Sequence, residues 1–203
     1  MSWNILTKED CDNGAAGDHN SERYVEIALA QRWLETLSDD QELVEIGAVM
    51  PYHIECHHTI IDPYDEKATI IDFMENYNYQ DKSVLSISTV EHIGNLEYGN
   101  TEADVDPEGA INALIKILDE SNKCLVTIPC GWNPHLDVWI ENNLHRLECF
   151  GYDRGPARDM SVWPPAPLGP NWQYRETVED WDYPYAFSSF TATFIICITG
   201  WKI

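Results

Sequence analysis

Acidic and small polar residues recur where short apolar runs stop. Leu43-Val44-Glu45-Ile46 ends at Gly47, and His58-Thr59-Ile60-Ile61 ends at Asp62. Thr69-Ile70-Ile71 ends at Asp72-Phe73, and Ser83-Val84-Leu85-Ser86-Ile87 ends at Ser88. These runs are β-branched and nearly continuous in apolar character, the pattern of strands covered on both faces of a parallel sheet. In such a sheet the carboxyl ends of the strands border the ligand crevice, so their terminal residues are the ones placed to do chemistry. A carboxylate at Asp62 can accept both hydroxyls of a ribose, each charge-assisted bond contributing roughly 1.5–3 kcal/mol. Asp72 can take an exocyclic amine while Phe73 stacks on a flat base. The plainer readings are local: Asp62-Pro63 ends a strand and begins a turn, and Phe73 fills core.

Histidines supply the groups that titrate near neutral pH. Glu91-His92 follows the fourth run, and His135 closes Gly131-Trp132-Asn133-Pro134-His135. Either imidazole can take a hydroxyl proton, with Tyr98 a third candidate. Alternatively, His92 orders its turn through a backbone carbonyl and His135 begins a helix in solvent. His53, Cys56, His57 and His58 put four ligand-type residues into six positions. No second pair at metal spacing appears elsewhere, and His57 and His58 would point to opposite faces of a strand, so the sequence assigns no metal. Arg154, Arg158 and Arg175 can grip a phosphate or carboxylate, or pair with nearby surface acids. Trp163, Trp172 and Trp181 can line a sugar site or pack in core.

Strands alternating with helices are needed to position these residues. Residues 1–19 are polar and glycine-containing and predict a loose arm. A helix follows, capped at Asn20 or Ser21, with Tyr24, Ile27, Gln31 and Leu34 at helical spacing and Ser38-Asp39-Asp40 at its end. Asp106 and Pro107 predict a second helix, as N-cap and N1, with Ile111, Leu114, Ile115 and Leu118 on one face. Lys123–Ile128 reads as a fifth strand, and Leu136, Ile140, Leu144 and Leu147 as a third helix. Residues 151–182 are rich in proline and predict a lid-like loop insertion. Phe187–Trp201 closes as a long strand. The whole, residues 1–203, reads as one α/β domain with a mostly parallel sheet.

Composition narrows the partners. The chain has 203 residues with 35 acidic and 12 basic side chains, a formal charge of −23. Such a surface repels phosphate backbones and anionic membranes, which excludes nucleic acid and membrane as expected partners. With 44% apolar residues, eight Trp and ten Tyr, it still has the means to bury a core. No run of eighteen apolar residues and no charged-then-apolar leader occurs, and the six cysteines form no Cys-x-x-Cys pair. The expectation is a cytoplasmic protein with reduced thiols.

The order of these pieces resembles the class I S-adenosylmethionine-dependent methyltransferases. The resemblance covers about residues 40–150, through Leu43–Ala48, Thr59–Asp62, Ile71–Phe73 and Leu85–Gly94. The last of these, followed by Tyr98-Gly99, Asp106–Gly109 and Ile128–Gly131, is similar to a subgroup associated with sugar and polysaccharide gene clusters. The resemblance implies a Rossmann-like seven-stranded, mostly parallel sheet with an antiparallel last strand and helices on both faces. It implies that Glu45 and Gly47 shape the loop under the methionine moiety, that Asp62 binds the ribose, and that Asp72 and Phe73 bind the adenine. Ser88 would face the sulfonium, and His92, with Glu91, would stand at the acceptor as general base. The implied activity is methyl transfer from S-adenosylmethionine to a small acceptor, a hydroxyl of a sugar or nucleotide sugar. One departure is specific: of the family's three alternating glycines only Gly47 is kept, with Val49 and Pro51 in the other two places. The Pro-Gly-Gly turn before the fifth strand is replaced by Glu120-Ser121-Asn122-Lys123. Those changes define the alternative, a non-catalytic interaction module that has lost cofactor binding.

Overall fold

Two acidic residues near the N-terminus have partners in a second helix. In the computed structural model, which describes residues 4, 6, 8–14, 22–96, 105–153, 173–176 and 194–202, helix α1 spans Lys8–Gly14. The Tyr24 hydroxyl donates to Asp12 Oδ1 at 2.6 Å, Arg32 Nη1 donates to Asp10 Oδ1 at 2.8 Å, and Cys11 is buried. The expected loose arm is therefore corrected over residues 8–14: these contacts fix the turn against its neighbour.

That neighbour, α2, spans Arg23–Leu34 and buries Tyr24 through Ala30 together with Trp33. A helix apolar nearly all round must be covered on more than one side, and here the sheet and α1 cover it. It begins at Arg23 and ends four residues short of Ser38; the expected caps, Asn20 and Ser21, lie outside the described residues.

The sheet contains β1 (Leu43–Ile46), β2 (Thr59–Ile61), β3 (Ser83–Ile87), β4 (Lys123–Pro129), β5 (Leu147–Asp153), β6 (Gln173–Arg175) and β7 (Phe194–Trp201). Their order is β2-β1-β3-β4-β7-β5-β6. Pairs β1–β2, β1–β3 and β3–β4 are parallel, whereas β7 is antiparallel to both β4 and β5, and β6 to β5. Strands β1 to β5 thus share one direction, and β6 and β7 run against them.

The sheet's membership differs from the reading of the sequence. The run Thr69–Asp72 forms only a parallel bridge between Ile61 and Ile70. Thr69 Oγ1 occupies the Ile60 amide at 2.8 Å, and Ile71 stays 64% exposed with no layer above it, so a ladder has nothing to extend along. Leu147, expected in a helix, opens β5, because α4 (Pro134–Asn143) has already stopped. Residues 151–153 and 173–175 of the expected insertion pair as strands. Arg154, Arg158, Trp163, Trp172 and Trp181 lie outside the described residues, as does Tyr98.

Helices cover both faces. On one, α3 (Gly109–Glu120) and α4 pack Leu114, Ile117, Leu136 and Ile140 onto Val84, Val126, Ile128 and Ile196. On the other, α2 packs Ile27, Leu29 and Trp33 with Leu85, Ile87, Leu125 and Ile195. The alternation of neighbours such as Val84 and Leu85 between the two cores is the two-residue period of a strand buried on both sides. Helix α3 starts at Gly109, not Pro107. Asp106 instead closes the preceding turn, accepting the Glu108 amide on Oδ1 at 3.0 Å and the Gly109 amide on its carbonyl at 3.0 Å. All six cysteines are free thiols. Among the described residues no helix is long and apolar enough to cross a membrane.

Leu114 is fully buried at the centre of the α3 face. Leu114→Ala is expected to cost about 2–5 kcal/mol through lost burial and the cavity left behind. Urea unfolding should move to a lower midpoint at unchanged slope; an unmoved midpoint would exclude this packing.

Candidate ligand cleft

Strands β1, β2 and β3 end along one edge, and the loops that follow them enclose a cleft of about 840 Å³. That volume lies in the range of small-molecule sites.

The loop after β1 forms one wall. Gly47 has φ +82° and lies so close to Thr89 that a Cβ there would run into the Thr89 side chain. Its amide donates to the Ile61 carbonyl at 2.9 Å. The loop then bends back into a 3-10 turn over Met50–Tyr52, which Pro51 helps to begin. Glu45, fully buried, holds this bend: Oε1 accepts the amides of Val49 at 3.0 Å and Met50 at 2.7 Å. Its other oxygen meets His58 Nε2 at 2.8 Å. Carboxylate-to-amide bonds therefore shape the path of the loop through Val49 and Met50.

Asp62 lines the cleft at the end of β2. Its Oδ1 accepts the amides of Tyr64 at 2.8 Å and Asp65 at 3.0 Å, and Oδ2 accepts the Ala48 amide at 3.2 Å. The turn-forming role is thus realised, and a carboxylate's roughly four lone-pair sites leave Oδ2 one to spare. Phe73 also lines the cleft, half exposed, in edge-on contact with the half-exposed Tyr64, the ring centroids 6.2 Å apart at 88°. Asp72 stands outside the lining. Its Oδ1 accepts the Phe73 amide at 2.8 Å and Asn76 Nδ2 at 2.7 Å, so it orders the next turn.

The floor is built at the end of β3. Ser88 is buried at φ +41°, a conformation costly for a residue with a Cβ. Its hydroxyl donates to Glu26 Oε1 at 2.5 Å, and Thr127 Oγ1 donates to the same oxygen at 2.6 Å. Glu26 is fully buried, and its second oxygen accepts Arg23 Nη1 at 3.0 Å. Arg23 also donates to the Ile87 carbonyl at 3.3 Å and reaches the cleft, the one Lys or Arg among its described lining residues. Asp62, Asp65, Glu75 and Asp106 line the same space, so its field is negative.

His92 lines the cleft, its ring 5.6 Å from that of Trp132. Glu91 does not line it: the carboxyl is buried, neither oxygen has a hydrogen-bond partner, and His92 Nε2 lies 3.6 Å away. Burial pushes the Glu91 carboxyl well above the usual carboxylate range. His135 is exposed on the first turn of α4 and stands apart from the cleft, the solvated helix-start arrangement.

The chain matches no model of a protein family, no curated protein and no solved structure.

The structure gathers Gly47, Asp62, Phe73, Ser88 and His92 around one space, with Glu45 behind the wall. Asp72, Glu91 and His135 are not among its lining residues. The sequence reading missed Arg23, Glu26 and Tyr64. The signal for Glu26 was present, a single acid between Val25 and Ile27 in an otherwise apolar helix stretch.

Asp137, at the start of α4, is buried and fixes the loop after β4 by accepting the Gly131 amide at 2.9 Å. Its other oxygen has no partner, and desolvation pushes its pKa up to about 6. With the folded pKa raised, the folded state binds more protons than the unfolded chain between the ordinary carboxylate value and about 6, so stability falls as pH rises through that window. Asp137→Asn removes the titration. It is expected to stabilise by on the order of 2 kcal/mol above that window and by little near pH 4. Melting temperatures of both proteins across this range check the sign; a gain independent of pH would refute it.

Proposed function

We propose that the cleft binds S-adenosylmethionine and that the protein transfers its methyl group to a hydroxyl of a small acceptor, of the sugar or nucleotide-sugar class. The observation that carries this reading is the meeting of Gly47, Asp62 and Phe73 in one cleft at the carboxyl ends of three adjacent parallel strands. Further support comes from the antiparallel β7 between β4 and β5 and from helices on both faces. Both agree with the sheet of the class I methyltransferases that the sequence resembles.

The chemistry of the wall suits this cofactor. Its methionine carboxylate finds a guanidinium in Arg23, and its net positive charge finds a cleft otherwise lined by acids. Oδ2 of Asp62 has room for one ribose hydroxyl, while Phe73 and Tyr64 offer aromatic surface to the adenine. When bound, the cofactor supplies an electrophilic methyl group. The chain's own work is to hold cofactor and acceptor in line, where positioning contributes roughly 7–11 kcal/mol. His92 removes the acceptor's proton, a contribution of about 10²–10⁴-fold.

A second reading, a methyltransferase-like module without cofactor, draws on the Glu45-pinned loop at Val49 and Met50 and on the backbone amides already held by Asp62. Calorimetric titration with S-adenosylmethionine and S-adenosylhomocysteine separates the two. Micromolar binding of either is the expected result, and absence of both would favour the module. Given binding, His92→Ala should leave cofactor affinity intact while slowing transfer by about 10²–10⁴-fold; an unchanged rate would remove His92 as the base.

A further inference from the structure

A second chemical group lies behind the cleft wall, on the α2 side of the β1–β2 edge. Glu45 pairs in register with Ile60, and the segment that enters β2 at Thr59 brings positions 58 and 56 back beside Glu45. The result is a convergence of three different donors. The carboxylate of Glu45, the thiol of Cys56 and the imidazole of His58 place their ligand atoms all within 4.8 Å of one another. His57, of opposite parity, is exposed and stays out of the group.

The group is held from behind. Glu45 Oε1 is committed to the amides of Val49 and Met50, which leaves Oε2 aimed at His58 Nε2. Glu45 is fully buried and the His58 side chain is 12% exposed, while Cys56 is half-buried. A carboxylate with one oxygen tethered by backbone and the other presented beside a nitrogen and a sulfur is a preorganised donor set of the kind metal sites need.

We propose that Glu45, Cys56 and His58 bind a zinc-type divalent cation. One oxygen, one sulfur and one nitrogen donor match the mixed preferences of zinc, and three protein ligands leave a fourth position for water. Carboxylate and thiolate carry two negative charges and the imidazole none, so a divalent cation brings the half-buried group to neutrality. On binding, the Cys56 thiol proton passes to solvent, and the proton between His58 Nε2 and Glu45 leaves that nitrogen by way of solvent, so that the neutral imidazole carries its one proton on Nδ1. The ion replaces a hydrogen bond between Glu45 and His58 with a three-way tie from β1 to the segment entering β2. Since Glu45 also holds Val49 and Met50, the ion braces the loop that walls the cleft. This inference does not rest on methyl transfer, and its measurements read metal rather than cofactor.

The test is titration of the chelator-stripped full chain with cobalt(II), followed by zinc. One equivalent of cobalt should bind with visible bands of a tetrahedral site and a near-ultraviolet thiolate-to-cobalt charge-transfer band, and zinc should displace it. Cys56→Ser should lose the charge-transfer band, and His58→Gln should lose tight binding. A readout on the unaltered protein guards against variants that fail to fold: zinc should slow alkylation of Cys56 by iodoacetamide, followed on its own peptide by mass spectrometry. Absence of the charge-transfer band, its survival in Cys56→Ser, or equal alkylation of Cys56 with and without zinc would each overturn the site.

Discussion

The burial of one carboxylate, Glu26, governs how the two halves of the molecule meet. Taken out of water alone, such a charge costs several kcal/mol. Here the cost is offset by Arg23 on its own helix and by the hydroxyls of Ser88 and Thr127 at the ends of β3 and β4. Those bonds fix α2 across the sheet, and the consequences pass along the chain. Ser88 is drawn into a left-handed conformation, Thr89 turns to bond the Ile87 carbonyl at 3.0 Å, and its side chain fills the space beside Gly47. The wall of the cleft thus takes its position from an acid that never reaches the cleft.

An acidic chain must solve the burial of carboxylates more than once, and the solutions differ. Glu26 keeps a cation and two hydroxyls. Glu45 is held by two amides and an imidazole. Asp137 has one amide and one bare oxygen, and so titrates near pH 6. Glu91 has neither, and burial pushes its carboxyl well above the usual carboxylate range. The donors each acid meets set what it does in the fold: anchor a helix, bracket a loop, or lie buried beside His92.

Much of the framework could be read from the sequence because burial on both faces leaves a direct imprint. The runs at Leu43, Thr59, Ser83 and Lys123 are continuous and apolar, and they become four adjacent parallel strands, with the Thr59 run at the sheet's edge. The ends of β1, β2 and β3 bring Gly47, Asp62 and Ser88 around one space, and Phe73 reaches it from the segment after β2. The reading of apolar runs as strands failed at Thr69–Asp72, where a β-branched run lies at the sheet's margin with Ile71 in solvent, since composition does not say whether a covering layer exists. Asp72 and His135 stand outside that space, the one engaged locally and the other in solvent, and composition does not say which way a turn faces. Glu45 beside Cys56 and His58 was illegible because the chain must double back to bring together positions eleven and thirteen apart, which no local spacing encodes.

The position of β7 has a consequence for how the chain comes together during synthesis. It is the last of the described strands, yet it is wedged between β4 and β5 and hydrogen-bonded to both. Until residues 194–201 leave the ribosome, the flanks of β4 and β5 are open ladders with unsatisfied amides and carbonyls, and Val126 and Ile128 lack the neighbours that complete their layer. The nascent chain is therefore obliged to carry a gap through the middle of its sheet and to close it in a single late step.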